Sequence, residues 1–381
     1  MAPRTNYANG GNTGKRKAKK SRQKAKIIIF LVEILIILAM LFVVWKVFET
    51  TDETEGPHMV TIEESDIIIN SEVKESLENP EVSTEENKSK GYWNIALFGV
   101  DAVKTEQLYK GSRSDSMMIA SVNMDNGEIK LVSVYRDTYL NKGNDKYGKC
   151  NSAYAANGAK QAMSMLNLNM DLAITDFVTV GYDAVKECVD GLGGVYIDVD
   201  SSELEHINNY QLSIIRDTDI PKSEYVAVTK TGYQLLNGLQ ATAYCRIRYT
   251  KGDDYKRAER QREVLKAMEE QAKKMSLGDL TELLPKVLKY LYTSIDETDM
   301  VELLKNINKY TIVDEGGFPT EDMRTSDTIG SNGSCVVPLD LESNVVWLHK
   351  FLFGEEDYQV SAAVKECSQK IKADTAPYLN N

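Results

Sequence analysis

The stretch Tyr244–Arg262 reads YCRIRYTKGDDYKRAERQR. Its first half alternates as a strand does, and an extended backbone would carry Arg246 and Arg248 to one face. Its second half reads as the start of a helix continuing to about Met275, on which Arg257, Arg260 and Gln261 stand at i, i+3 and i+4 and share a face. Gly252-Asp253-Asp254 between them is a turn with a capping carboxylate. A strand–turn–helix unit would aim up to four guanidinium groups at one place, and arginine is the side chain suited to bidentate capture of phosphate oxygens. The alternative is a solvated basic strand followed by an ordinary charged helix.

Outward from this stretch the chain alternates strands and helices. The folded region opens at Trp93, and Asn94–Val100 has a buried-strand pattern that ends on Asp101. Gly111-Ser112-Arg113-Ser114-Asp115 follows. Strands over Met117–Asn123 and Ile129–Val134 are joined by a turn at Asp125-Asn126-Gly127, and the second runs into Tyr135-Arg136-Asp137-Thr138. Three strand ends thus each deliver a charged residue, where ligands of open α/β sheets gather. Asn151 caps a helix reaching Leu166, and Asp176–Val180 is a short strand. Tyr182–Asp190 is a helix stopped by Gly191-Leu192-Gly193-Gly194, and Val195–Val199 is again a strand. Hairpins among the crossovers predict an α/β fold with a mixed sheet. Beyond Met275 the pattern is mainly helical, over Leu277–Leu291, Asp299–Lys309 and Leu341–Phe353.

Charge is unevenly placed. The net charge is −12, yet the first 26 residues hold nine Lys or Arg and no acid, leaving −21 for the remainder. So acidic a bulk argues against a nucleic-acid partner. Ile27–Trp45 is apolar at every position except Glu33, and at helical rise it spans about 28 Å, close to a bilayer core. The preceding charges predict a cytoplasmic N-terminus and an external remainder. A cleaved signal peptide is disfavoured by the length of the run and by the lack of a small-residue site before Lys46. Residues 47–90 are acidic and polar and read as a tether with one short strand at Ile67–Ile69. The expected organisation is therefore a basic arm (1–26), a single-pass anchor (27–46), the tether (47–90), a catalytic domain (91–275) and a mainly helical C-terminal part packed on it (276–381).

Five cysteines suit an oxidising exterior. Cys150 lies beside Lys149, and Cys245 beside the arginine strand. A Cys150–Cys245 bridge and a Cys335–Cys367 bridge are expected, with Cys188 a core thiol; five buried, reduced thiols are the alternative. Without a Cys-x-x-Cys pair, and with three histidines, a zinc site is not expected.

Eight short motifs now stand in order: Asn94 to Gly99-Val100-Asp101; Ser112-Arg113-Ser114-Asp115-Ser116-Met117; Arg136-Asp137-Thr138; Lys149-x-Asn151-x-Ala153-Tyr154; Val189-Asp190-x-Leu192-Gly193-Gly194-Val195; Leu236-Asn237-Gly238-x-Gln240-Ala241; Arg246-x-Arg248; and Arg257-x-x-Arg260-Gln261. Over residues 93 to 265 this series resembles the LytR-CpsA-Psr family of bacterial cell-wall enzymes. Tyr135 stands where that family usually has Pro, Cys150 where it has an aliphatic residue, and the surroundings of Gly181-Tyr182 are less typical.

The resemblance implies an α/β/α sandwich with a hydrophobic cleft for a polyprenyl tail, held by one transmembrane helix at the outer face of a bacterial, Gram-positive, cell membrane. It implies a phosphotransferase that moves a glycopolymer, such as teichoic acid or capsule, from a polyprenyl-pyrophosphate carrier to a peptidoglycan hydroxyl. Asp101 and Asp115 match its metal-binding carboxylates, with Mg²⁺ or Mn²⁺ the expected ion. Pyrophosphate transfer asks for charge neutralisation more than covalent help. Arg113 and Arg136 complete the catalytic set; Arg246, Arg248, Arg257, Gln261 and Lys149 are the donor-binding set, with Asp137 and Arg260 in support. Loop capping is the bland alternative for each aspartate, and a structural salt bridge for each arginine. Two other functions use the same residues: a polyprenyl-pyrophosphate phosphohydrolase, and a non-catalytic membrane-anchored regulator that binds a wall lipid.

Overall fold

The structure is a computed structural model that describes residues 58–79, 81, 87–102, 105–248 and 253–379. The basic arm and the apolar segment Ile27–Trp45 lie outside these residues. Among the described residues no helix is long and apolar enough to cross a membrane.

The order begins with β1 (His58–Met59) and helix α1 (Ser71–Glu78), inside the segment expected to be a tether. Its few apolar residues explain the difference. Ile67 is buried in the main core, with Val60, Ile62 and Ile69 packed against it, and each fully buried aliphatic side chain contributes about 1.5–3 kcal/mol. Asn70 then ties the segment down by donating to Asp171 Oδ1 at 2.6 Å and to the Leu168 carbonyl at 3.1 Å. The folded unit therefore starts some thirty residues before Trp93.

Next come β2 (Tyr92–Val100), β3 (Ser114–Asn123), β4 (Glu128–Val134), the small β5 (Tyr139–Asn141) and β6 (Tyr147–Lys149), α2 (Asn151–Met170) and β7 (Asp176–Val180). Helix α2 kinks at Asn157–Gly158. Gly158 has φ +66°, and the Tyr109 carbonyl oxygen sits 2.2 Å from where a Cβ would be, so no other residue fits there. Then follow α3 (Tyr182–Gly191), β8 (Val195–Val199), α4 (Leu204–Asp217), β9 (Gly232–Leu236), α5 (Gly238–Tyr244) and α6 (Asp253–Ala272). The C-terminal part holds α7 (Leu277–Leu288), β10 (Leu291–Thr293), α8 (Glu297–Lys305), β11 (Thr311–Phe318), β12 (Arg324–Thr328), β13 (Ser334–Pro338), α9 (Leu341–Phe353) and α10 (Ala362–Leu379).

Seven strands form the central mixed sheet in the order β1-β10-β7-β2-β3-β4-β11, with β2 parallel to β7 and antiparallel to β3. Residues of alternating parity point to opposite faces. Ala96, Phe98, Ile119 and Val132 join a core that includes α2, α9 and α10. Ile95, Ala120, Val122 and Leu131 face Leu265 of α6 and Met300 and Leu303 of α8. Helices thus cover both faces. The C-terminal part is less helical than expected, because β10 and β11 belong to this sheet. Thr311–Phe318 carries Asp314, Glu315 and a Gly pair, which mask a strand signal; as an edge strand it can expose those charges. A separate core packs α3, α4, α5 and α6 around the β8–β9 pair, from Val189 and Ile197 to Leu239 and Val264.

Candidate active site

A cavity of about 500 Å³, in the size range of small-ligand sites, lies where these cores meet. Its walls change character along each element. On β2 they run from Leu97 to Asp101, on β7 and its continuation from Val178 to Tyr182, and on α6 from Met268 and Leu265 back to Gln261 and Arg257. The carboxyl ends of the parallel strands and the N-terminal turns of α6 thus form one polar end. The rest of the lining is apolar: Met268 and Cys188 stand further along α6 and α3, and Val287 and Leu291 form a flank, Leu291 lying beside Val180 across the sheet. On α6 the span from Arg257 to Met268 is eleven residues, about 16 Å at helical rise.

Asp115 reaches the polar end because of a bulge. Gly99 pairs with Ser116 and Val100 with Ser114, so Asp115 is the extra residue of β3, and bulges re-aim side chains. Gly99 permits this approach, since a Cβ there would lie 2.9 Å from that of Ser116. Arg136 Nη1 bonds Asp115 Oδ1 at 2.5 Å, and Arg257 Nη2 donates to the Asp115 carbonyl at 3.0 Å. Asp254 pairs with both Arg248 (3.0 Å) and Arg257 (3.2 Å). Burial pushes the Arg257 guanidinium below its ordinary pKa, while Asp254 and Asp115 oppose the shift.

Arg246 and Arg248 both line the cavity, but not from a strand. Asn237 and Gln240 form a capping box that starts α5, and the helix runs on to Tyr244; a capped start outweighs a short apparent alternation. The chain then turns, with the Arg246 and Ile247 amides donating to the Ala243 and Tyr244 carbonyls. Ile247 is buried between the two arginines, which keeps both directed into the cavity. Arg260, only 2% exposed, pairs with Glu203 at 2.7 Å and donates to the Ile247 carbonyl at 3.1 Å. Gln261 lines the cavity and also donates to the Cys245 carbonyl at 3.3 Å. Both therefore brace the arginine turn.

Of the remaining expected residues, Arg136 stands one side chain from the cavity through Asp115. Lys149 pairs with Asp137 at 3.2 Å, on the far side of Arg136, and does not line it. Arg113 is exposed just before β3 and is also outside the lining. The sequence reading missed three participants. Asp254 reads in the sequence only as a cap. Tyr182 donates its hydroxyl to Asp101 Oδ1, and Tyr210 with Tyr182 flanks the Arg246 guanidinium, whose carbon lies 5.5 and 4.4 Å from their ring centroids. Burial raises the Tyr182 pKa well above the ordinary phenol value, Arg246 opposing the shift and Asp101 adding to it.

The cysteines correct an expectation: all five are free, so neither the Cys150–Cys245 nor the Cys335–Cys367 bridge exists. Cys150 sits in the main core with its Sγ on the Tyr135 and Arg136 carbonyls, at 3.2 and 3.3 Å. Cys245 packs on the β8–β9 core. Cys367 Sγ accepts instead from Asn141 at 3.8 Å.

The donor chemistry suits a hard divalent cation. Asp101 and Asp115 both line the polar end. Each engages one side-chain oxygen, with Tyr182 and Arg136 respectively, and keeps its Oδ2 without a hydrogen-bond partner among the described residues. No cluster of three His, Cys, Asp or Glu occurs among the described residues, so substrate oxygens would complete the coordination, as is usual for Mg²⁺.

Comparison with known proteins agrees with this architecture. Biofilm regulatory protein A of Streptococcus mutans is 30% identical over 242 residues, covering 59% of this chain and 57% of that protein. The Enterococcus faecalis polyisoprenyl-teichoic acid–peptidoglycan teichoic acid transferase TagU is 29% identical over 232 residues, 60% of this chain and 70% of TagU. The chain thus spans little more than half the length of the first of these relatives. Among solved structures, Bacillus subtilis TagV superposes with a TM-score of 0.55 at 24% identity, covering 71% of this chain and 99% of TagV. TagT bound to LI-WTA superposes at 0.52 and 18% identity, over 76% of this chain and 93% of TagT. The LytR_cpsA_psr family model matches residues 60–335, from just after β1 into β13, and by that match the chain belongs to the LytR-CpsA-Psr family.

Proposed function

We propose that this protein transfers a glycan phosphate from a polyprenyl-pyrophosphate carrier to a hydroxyl of peptidoglycan. The observation that carries this reading is the two-ended cavity, which suits an amphiphile with an anionic head. Arg246 Nη1 is buried at the polar end with no hydrogen-bond partner among the described residues, a costly arrangement unless an anion takes it up. Arg246, Arg248 and Arg257 would neutralise the bridging and terminal pyrophosphate oxygens, and Met268, Val287 and Leu291 would hold the start of the tail. The acceptor hydroxyl oxygen bonds to the sugar-bearing phosphorus, the bridging P–O bond breaks, and polyprenyl phosphate leaves, taking up the proton that the hydroxyl gives up. A divalent cation on Asp101 and Asp115 would supply further neutralisation of the phosphate oxygens. Ile27–Trp45 would keep the domain at the membrane that carries the donor, with the domain external.

The test is to incubate the purified protein with a polyprenyl-pyrophosphoryl oligosaccharide, Mg²⁺ and peptidoglycan fragments. A covalent glycan–phosphate–peptidoglycan product is expected. Release of glycan phosphate at the same rate without acceptor would instead identify a phosphohydrolase.

A further inference from the structure

Tyr182 follows from the sheet register. Gly99 of β2 is paired with Val180 of β7 in parallel, so two residues further on Asp101 and Tyr182 leave the sheet side by side. The tyrosine does two things there. Its hydroxyl bonds the exposed carboxylate of Asp101, and its ring carries the Arg246 guanidinium at 4.4 Å. The other cavity arginines are held by carboxylate, Arg248 and Arg257 through Asp254. Arg246 has no carboxylate within ion-pair distance among the described residues. A π face orients a cation without neutralising it, which leaves Arg246 Nη1 unspent for a ligand.

Resting on the head-group reading above, we propose that Tyr182 is a positioning residue that joins the two halves of that site, fixing Asp101 through its hydroxyl and Arg246 through its ring. The two roles separate by substitution. Tyr182→Phe removes the hydroxyl and keeps the ring; Tyr182→Leu removes both.

The experiment uses the full-length protein in detergent, with Mn²⁺ binding followed by electron paramagnetic resonance and inorganic pyrophosphate binding followed by calorimetry in chelator. Partners that orient a metal ligand typically alter affinity about ten- to a hundredfold, so both variants should lose Mn²⁺ affinity to that extent. Pyrophosphate affinity should stay at the wild-type value in Tyr182→Phe and fall about two- to thirtyfold in Tyr182→Leu, the range of a cation–π contact. Wild-type Mn²⁺ affinity in Tyr182→Phe overturns the role of the hydroxyl. Equal pyrophosphate affinity in the two variants overturns the role of the ring. A wild-type protein that binds neither probe overturns the head-group reading itself, and this inference with it.

Discussion

Arg246 concentrates the chemistry of the site in one side chain: a fixed plane, a positive charge and an unsatisfied donor at Nη1. Arg246→Lys keeps the charge but loses both the fork and the stacking. Hydrogen bonds to charged groups are worth about 1.5–3 kcal/mol, so donor turnover should fall about ten- to a hundredfold while the melting temperature barely moves. A variant that melts far earlier yet turns over normally when folded would show Arg246 to be structural. The cysteines make a second prediction at this scale. Cys150 is fully buried, and burial pushes its thiol up to about 12, so it should resist alkylation at neutral pH in the native protein. Denaturation without reductant should expose all five thiols to a colorimetric titration; recovery of fewer would mean a disulfide after all. Proximity to a common site suggests the Cys150–Cys245 pair, but side-chain direction decides pairing, and the sequence does not encode it locally.

Helix α6 and the turn before it depend on one buried ion pair. Arg260 and Glu203 are 2% and 4% exposed, and the guanidinium also holds the Ile247 carbonyl. Arg260→Met strands a buried carboxylate, which should cost about 3–5 kcal/mol, measured by urea unfolding. Adding Glu203→Leu should recover most of that stability. If the single variant is as stable as wild type, the brace is not what holds the turn. The spacing Arg257-x-x-Arg260-Gln261 was legible as one helical face, and Arg257 and Gln261 do line the cavity. That Arg260 is turned instead to Glu203 was not legible, because the partner lies 57 residues away. The capping box at Asn237 and Gln240 was present in the sequence, but the Arg-x-Arg alternation after it read more strongly as a strand.

At the scale of the whole molecule, the mixed sheet and the convergence of charged strand ends were readable from periodicity and turn residues. Its edges were not: β1 and β10 are two and three residues long, and β11 is masked by exposed acids and glycines. A boundary at residue 275 looks natural in the sequence, yet it removes β10, β11, α9 and α10. A chain cut there should expose the core face of Phe98, Ile119 and Val132 and fail to unfold cooperatively in calorimetry, whereas a chain of residues 55–381 should show a single transition. The central claim is that one cavity holds a lipid pyrophosphate with its head among the arginines and its tail along α6. The most direct measurement is photocrosslinking with a short-chain prenyl pyrophosphate carrying a diazirine at the tail end, followed by peptide mapping. The account predicts adducts centred on Met268 of α6, abolished by excess unlabelled lipid pyrophosphate. Adducts at the arginine end, or spread over the outer surface and insensitive to competitor, would contradict it.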